Sequence, residues 1–417
     1  MHVSAHLDVD LVAVEQDDAV TVMLELTAPA ATDDQPRPAA TVQVVLDRSG
    51  SMSGDPLFAA KLALTRLIDR LDPTDNFGVV AFDDDATVIV PAGPLTDKAA
   101  ARDAVAQIEA GCSTNLSAGY LRGLQEARRV CDRAGATIVV LSDGEANQGI
   151  LDASQLTGIA ARAQQQAITT TTIGIGLGYD EQLLAAMSAG GAGNHAFAEG
   201  ADDAGPALLR EVDGLLTTTV QAASLRMTLA ESVTAAFIKA DLPLVIRERE
   251  AFVELGDLWA GEERKVLLRF GIPAIAALGL AQVATIELRY VVLPELREEI
   301  VTLPITVNVV PADLAAGRVA DPRVAVESLF QEAQNAKTAA TKSLRQGDAV
   351  AASRQFFAAS QAIRAASVSS PELAAEADLL DDLSQQALDE DPNRLSKLTT
   401  TDIHNKTIKR GQGGSAS

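Results

Sequence analysis

The residues of this 417-residue sequence whose types and spacing could do chemistry begin at Asp47. Asp47, Ser49 and Ser51 alternate at i, i+2 and i+4, separated by Arg48 and by Gly50, which permits a tight turn. They follow Val42, Val44, Val45 and Leu46, an apolar run that reads as a buried strand and stops abruptly at the acid. Three hard oxygen donors on one loop supply about half of an octahedral shell, the preference of a divalent cation such as Mg2+. The remaining oxygens must come from later loops. Thr114, within Gly111-Cys112-Ser113-Thr114-Asn115-Leu116-Ser117, offers a hydroxyl, and Asp143, within Leu141-Ser142-Asp143-Gly144, offers a carboxylate.

Residues so far apart converge only on a scaffold that gathers loops along one edge. Residues 38–219 read as strands alternating with helices. The Asp47 strand leads to a helix with Asp55 as expected N-cap and Pro56 at its first position, its apolar face built from Leu57, Leu62, Leu64, Leu67, Ile68 and Leu71. A strand Gly78–Phe82, the acidic turn Asp83-Asp84-Asp85 and a short strand Thr87–Val90 follow. Helices near Lys98 and Leu116, strands at Thr137–Leu141 and Thr169–Ile175, and a closing helix around Asp203–Thr218 continue the pattern. Repeated strand–helix units imply an α/β fold, a doubly wound and mostly parallel sheet covered on both faces. Ligands of such sheets sit at the carboxyl ends of the strands, where the five oxygen-bearing residues are expected to meet.

Asp-x-Ser-x-Ser, a lone Thr and a strand-ending Asp-Gly, in this order over about residues 38–219, resemble the metal-ion-dependent adhesion site of von Willebrand factor type A domains, whose sheet is Rossmann-like. The resemblance implies that Ser49, Ser51 and Thr114 coordinate the metal directly through hydroxyls. It implies that Asp47 and Asp143 hold it partly through waters, and that a sixth position stays open for a carboxylate of a partner protein. Neutral hydroxyls leave the ion under-neutralised, so an incoming anion is attracted. Mg2+ tolerates retained waters and is the expected occupant, with Mn2+ next. Glu145, Asn147 and Asp55 are expected near the rim, where they would tune which partner fits.

The flanking sequence changes period. Residues 1–37 alternate apolar and polar positions (Val3, Ala5, Leu7, then Val20, Val22, Leu24), and residues 220–312 return to that pattern (Leu225, Met227, Leu229; Val301, Leu303, Ile305, Val307), punctuated by prolines. The expectation is an all-β sandwich made from both stretches, with the α/β domain inserted into it. β elements around a type A domain resemble the architecture of bacterial and inter-α-trypsin-inhibitor-like proteins. Residues 321–390 have helical spacing with breaks at Gln346-Gly347-Asp348 and Ser369-Ser370-Pro371, which predicts a helical hairpin or bundle, a candidate docking or homo-oligomerisation element. Residues 391–417 are expected to be a flexible tail.

Bulk properties narrow the function. The net charge is 34 − 57 = −23, which argues against nucleic acid and anionic membranes as partners. No apolar run approaches the ~20 residues of a membrane helix, and no signal peptide is evident, so a cytoplasmic protein is expected, in keeping with the bacterial intracellular type that the resemblance implies. Cys112 and Cys131 flank a helix about 22 Å long and should be free thiols, Cys112 being a small buried one rather than a redox-sensitive neighbour of the metal. Gly174-x-Gly176-x-Gly178 fails the dinucleotide fingerprint because Tyr179, not glycine, occupies the required region, and the four histidines form no zinc spacing. The Asp83–Asp85 run reads as a solvated hairpin turn in preference to a second cation site. Thr114 competes with Asn115 to cap the following helix. A non-enzymatic, metal-dependent protein-interaction module accounts for these features. The alternatives are an accessory subunit of an ATPase or chelatase-type complex and, with no base evidently poised apart from Glu145, a metal-dependent hydrolase.

Overall fold

The computed structural model describes the chain except residues 32–36, 133, 145, 232, 234, 239–243, 369 and 409–417. Two compact units divide it, one made of residues 1–30, 222–291 and 298–417, the other of 31–221 and 292–297. The first opens with β1 (His2–Leu7), β2 (Leu11–Ala13) and β3 (Asp18–Thr27), of which β1 and β3 pair antiparallel.

The second unit carries the alternating pattern. Its elements are β4 (Thr41–Asp47), α1 (Asp55–Arg70), β5 (Asn76–Phe82), β6 (Ala86–Pro94), α2 (Lys98–Ala106), α3 (Leu116–Val130), β7 (Ala136–Ser142), α4 (Ala153–Gln164), β8 (Ile168–Ile175), α5 (Glu181–Gly190), β9 (Ala192–Ala198) and α6 (Ala201–Leu216). They form the α/β sheet that the alternation predicts, in the order β6-β5-β4-β7-β8-β9. Only β6 runs antiparallel to its neighbour. β4 is paired on both sides and buried along its whole length. Alternate residues serve opposite faces: Val42, Val44 and Leu46 join a core with α1, α2 and α6, whereas Val45 joins one with α3, α4 and α5. Full burial of each such side chain contributes about 1.5–3 kcal/mol, which is why a continuous apolar run is needed in the central strand.

Two local features set how the loops approach. Gly54, not Asp55, is the N-cap of α1, because its φ of +85° suits glycine, and Asp55 instead lies in the first turn. On α3, Gly119 and Gly123 face the sheet: an added Cβ would lie 2.4 Å from a ring atom of Phe82 and 2.4 Å from Cγ2 of Val45. Their missing side chains let α3 sit close to β4 and β5. At the opposite end of the sheet Asp75, whose side chain is fully buried, accepts both Nη atoms of Arg37 at 2.6 Å and the backbone N–H groups of Ala40 and Asp72. Burial pushes its carboxyl up, but the hydrogen bonds from Arg37, Ala40 and Asp72 outweigh this and hold it below the ordinary 3.8.

The chain continues through β10 (Thr218–Leu229), β11 (Ala235–Ile238), β12 (Leu244–Arg247), β13 (Glu250–Trp259), β14 (Glu263–Ile272), β15 (Gly279–Val292) and β16 (Arg297–Val310). One four-stranded sheet has the order β1-β3-β14-β11, and a six-stranded sheet has the order β12-β13-β10-β15-β16-β2. The N-terminal strands therefore pair with strands more than two hundred residues later, β3 with β14 and β2 with β16. A short α7 (Ala312–Ala316) precedes α8 (Pro322–Arg345), α9 (Ala349–Ala365), α10 (Pro371–Asp389) and α11 (Pro392–Ile408). No helix among the described residues is long and apolar enough to cross a membrane.

α11 corrects the expectation of a flexible tail over 391–417: residues 392–408 are helical, and 409–417 lie outside the described residues. Leu395 of α11 packs into the core of the helical region, and a charge network ties the helix to α8 and α10. Lys337 of α8, with no exposed side-chain surface, pairs with Glu376 of α10 and, at 2.6 Å, with Asp402 of α11. Lys406 of α11 meets the same two carboxylates at 2.8 and 3.0 Å. Two cations and two anions alternate, so the buried Lys337 and Glu376 each have opposite neighbours, without which their desolvation would not be met, while Asp402 and Lys406 are partly exposed.

Two predictions follow from these ion pairs. Asp75→Asn should lower stability by about 1–3 kcal/mol at pH 7 in urea melts. Because the folded-state pKa of Asp75 is depressed, its stabilisation is present above 3.8 and lost as pH falls below it, so the wild-type advantage should shrink toward pH 3; an unchanged gap would refute this assignment. Glu376→Ala leaves two ammonium groups facing one carboxylate and should cost about 3–5 kcal/mol, with faster amide exchange first in α11. Exchange that speeds up elsewhere but not in α11 would contradict the proposed anchoring.

Candidate metal centre

The carboxyl edge of the parallel sheet gathers four loops. β4 ends at Asp47, whose side chain is fully buried between β5 and β7. The Ser49 N–H donates to Asp47 Oδ1 at 2.8 Å, and the Ser142 hydroxyl at the end of β7 donates to Oδ2 at 2.5 Å. Both carboxylate oxygens are thereby oriented by donors from two strands' ends. Ser49 Oγ and Ser51 Oγ lie 3.1 Å apart, and Ser51 Oγ donates to Asp143 Oδ1 at 2.8 Å. Ser49 and Thr114 are buried, Ser51 is exposed, and Asp143 lies between these extremes, so the cluster opens to solvent on the Ser51 side.

Gly144 measures the convergence. A Cβ added there would stand 3.1 Å from Ser51 Oγ, 3.5 Å from Thr114 Oγ1 and 3.9 Å from Ser49 Oγ. Three hydroxyls from two loops surround one small space that glycine leaves open. The sequence-identified residues Asp47, Ser49, Ser51, Thr114 and Asp143 are thus brought together. Asp55 sits in the first turn of α1, Asn147 turns its side chain toward the Thr114 backbone, and Glu145 lies outside the described residues.

The fourth loop is the acidic turn between β5 and β6. Asp83 pairs with Arg48 at 3.2 Å, and a Cβ on Gly111 would fall 2.0 Å from Asp83 Oδ2, so glycine is required there. Asp84 accepts from the Ser113 hydroxyl and from Gln148, while its backbone carbonyl accepts from the Asn115 side chain. The turn is therefore a brace for the Thr114 loop and not merely a solvated hairpin. Asn115, rather than Thr114, caps α3 by accepting from Ala118 N, which leaves the Thr114 hydroxyl uncommitted to that role. Cys112 is exposed and Cys131 partly so, both free; the expected burial of Cys112 is wrong, because its loop is held through the backbone, the Gly50 N–H donating to the Cys112 carbonyl, while its side chain stays exposed. His195 is buried in edge strand β9, with Nδ1 2.9 Å from the Thr172 hydroxyl, well removed in topology from the cluster.

The donor set fits a small divalent cation. Burial raises the pKa of Asp47, with the charge of Asp83 adding to it. Burial also raises Asp143 to about 6, and the neighbouring Asp47 adds to the rise. A cation would relieve both costs. At metal–oxygen distances of about 2.0–2.1 Å, adjacent oxygens of an octahedron stand about 2.9 Å apart; the 3.1 Å and 2.8 Å separations along Ser49, Ser51 and Asp143 are close to that edge. Among the described residues no group of three or more His, Cys, Asp or Glu could hold a metal, so a centre here is built of hydroxyls with two carboxylates.

Ser142 was not singled out from sequence, although a hydroxyl immediately before Asp143 at the end of a buried strand was a usable signal. Ser142→Ala removes the buried donor to Asp47 Oδ2 and should cost about 1–3 kcal/mol in metal-free urea denaturation. A loss below about 0.5 kcal/mol, the size of a neutral surface change, would show that the bond does not orient Asp47.

The sequence and fold have known counterparts. The family model of the von Willebrand factor type A domain matches residues 42–208. An uncharacterized protein of Synechocystis is 28% identical over 256 residues, an alignment covering 59% of this chain and 60% of that relative's length. A von Willebrand factor type A structure from Catenulispora acidiphila shares the fold with a TM-score of 0.70 at 17% identity, over 92% of this chain and 88% of that one. The ArnB paralog VWA2 from Sulfolobus acidocaldarius does so with a TM-score of 0.64 at 14% identity, over 98% and 99%. The family model therefore identifies residues 42–208 as a von Willebrand factor type A domain, and the two structures share its fold.

Proposed function

We propose that this chain is a non-enzymatic protein-interaction module that uses a divalent cation, Mg2+ with Mn2+ as the alternative, to capture a carboxylate of a partner protein. The observation that carries this reading is the convergence of the Ser49, Ser51 and Thr114 hydroxyls on the space left by Gly144, beside the carboxylates of Asp47 and Asp143. Ser49, Ser51 and Thr114 would hold the ion through their hydroxyls, with Asp47 and Asp143 behind them. An ion bound mainly by neutral oxygens keeps excess positive charge and so attracts an acidic side chain. The exposed Ser51 side of the cluster is where that side chain would arrive. Two free cysteines support residence in a reducing compartment.

Calorimetric titration of Mg2+ and Mn2+ into the EDTA-stripped, dialysed 417-residue chain tests the proposal. Saturable binding at one site is expected, weakened on the order of tenfold or more by Asp47→Ala and by Thr114→Ala. Peptides bearing a single Glu should bind the loaded wild type only, and their binding should vanish on chelation. Wild-type protein that takes up neither ion would overturn the reading.

A further inference from the structure

Thr114 is the hydroxyl supplied by the second loop, and it lies one residue before the N-cap of α3, where backbone groups have no partner within the helix. One residue grips both of its backbone polar groups. Thr114 N donates to Asn147 Oδ1 at 3.0 Å, and Asn147 N donates to the Thr114 carbonyl at 3.1 Å. Gln148 N reaches the same carbonyl at 3.4 Å. The lacing continues along the loop. Gly149 has φ +76°, and an added Cβ would fall 2.3 Å from Asn115 Oδ1 and 2.2 Å from Ser117 Oγ. Ile150 N then donates to Ser117 Oγ at 2.9 Å. Residues 147–150 therefore run stitched along 114–117.

We infer that Asn147 is the positioning residue of Thr114, holding its hydroxyl at the metal centre and coupling that centre to the exposed loop 147–149. The inference deepens the metal-binding reading and rests on it. Threonine is stiff at χ1, so fixing its backbone largely fixes its hydroxyl. Only a side-chain acceptor of this length completes the two-bond ring with Thr114, because the other bond is already made by the Asn147 backbone. Asn147, Gln148 and Gly149 are exposed, so a docking partner can touch the same loop that fixes the third hydroxyl. Whatever free energy a loop contact gains from metal occupancy, metal occupancy gains from the contact, since such coupling is reciprocal.

The test is a double-mutant cycle on the full chain, with Mn2+ alone as the calorimetric probe after EDTA stripping and dialysis. Asn147→Ala should weaken Mn2+ binding about tenfold or more, the usual effect of losing a group that orients a ligand. Asn147→Ser, too short to reach Thr114 N, should do the same. In a Thr114→Ala background neither change should weaken binding further, because the hydroxyl that Asn147 positions is gone. Thermal melting without metal should stay close to wild type for both single variants. Wild-type-like Mn2+ affinity in Asn147→Ala and Asn147→Ser, or a full additional loss on top of Thr114→Ala, would overturn the inference while leaving the metal site standing. Wild-type protein that binds no Mn2+ would remove the metal-binding reading and this inference with it.

Discussion

The carboxylate of Asp47 is buried at the end of a strand that has hydrogen-bonded neighbours on both sides, and much of the α/β unit follows from the need to keep it there. An ionisable group at such a depth needs donors for each oxygen or a cation close by. The sheet supplies the donors: the turn after β4 presents Ser49 N, and the parallel neighbour β7 ends in Ser142. A one-residue slip of β7 against β4 would send the Ser142 side chain to the other face of the sheet and leave Asp47 Oδ2 without its donor. Strand register and site chemistry are thus one constraint.

Around that fixed carboxylate, small residues do as much as polar ones. Gly144 leaves the space that three hydroxyls face, Gly111 admits the Asp83 carboxylate, and Gly119 with Gly123 let α3 close onto Phe82 and Val45. The position of Thr114 depends on this sequence of close approaches, because its loop leads directly into α3. The acidic turn between β5 and β6 braces the same loop from the other side through Asp84. Two carboxylates are held in partly dry surroundings with elevated pKa values, an arrangement that disfavours the free anions and favours whatever cation is held there.

The helical region shows a different solution to burying charge. Lys337, Glu376, Asp402 and Lys406 alternate in sign across α8, α10 and α11, and Gln334 adds its side chain to the same cluster. Lys406 lies in the stretch expected to be a flexible tail, yet its two carboxylate partners lie 30 and 4 residues earlier in the chain. The fold of residues 392–408 therefore depends on pairing at a distance, which local composition does not display.

By itself the sequence determined the α/β alternation, because a central strand buried on both faces must be a continuous apolar run and amphipathic helices must show a 3.6-residue period. It also determined the identity of the oxygen cluster, since Asp47, Ser49 and Ser51 are neighbours on one loop and each strand of a parallel sheet ends at the same edge. Only the tertiary structure decided which groups hold that cluster in shape. Ser142 acts through its hydroxyl on a residue 95 positions away and Asn147 through a pair of hydrogen bonds to one 33 positions away, and no local period reveals either partner. The docking of α11 was settled in the same way. Each depends on a close approach or a charge pair between distant segments, and such energies are written in distances that a linear pattern does not contain.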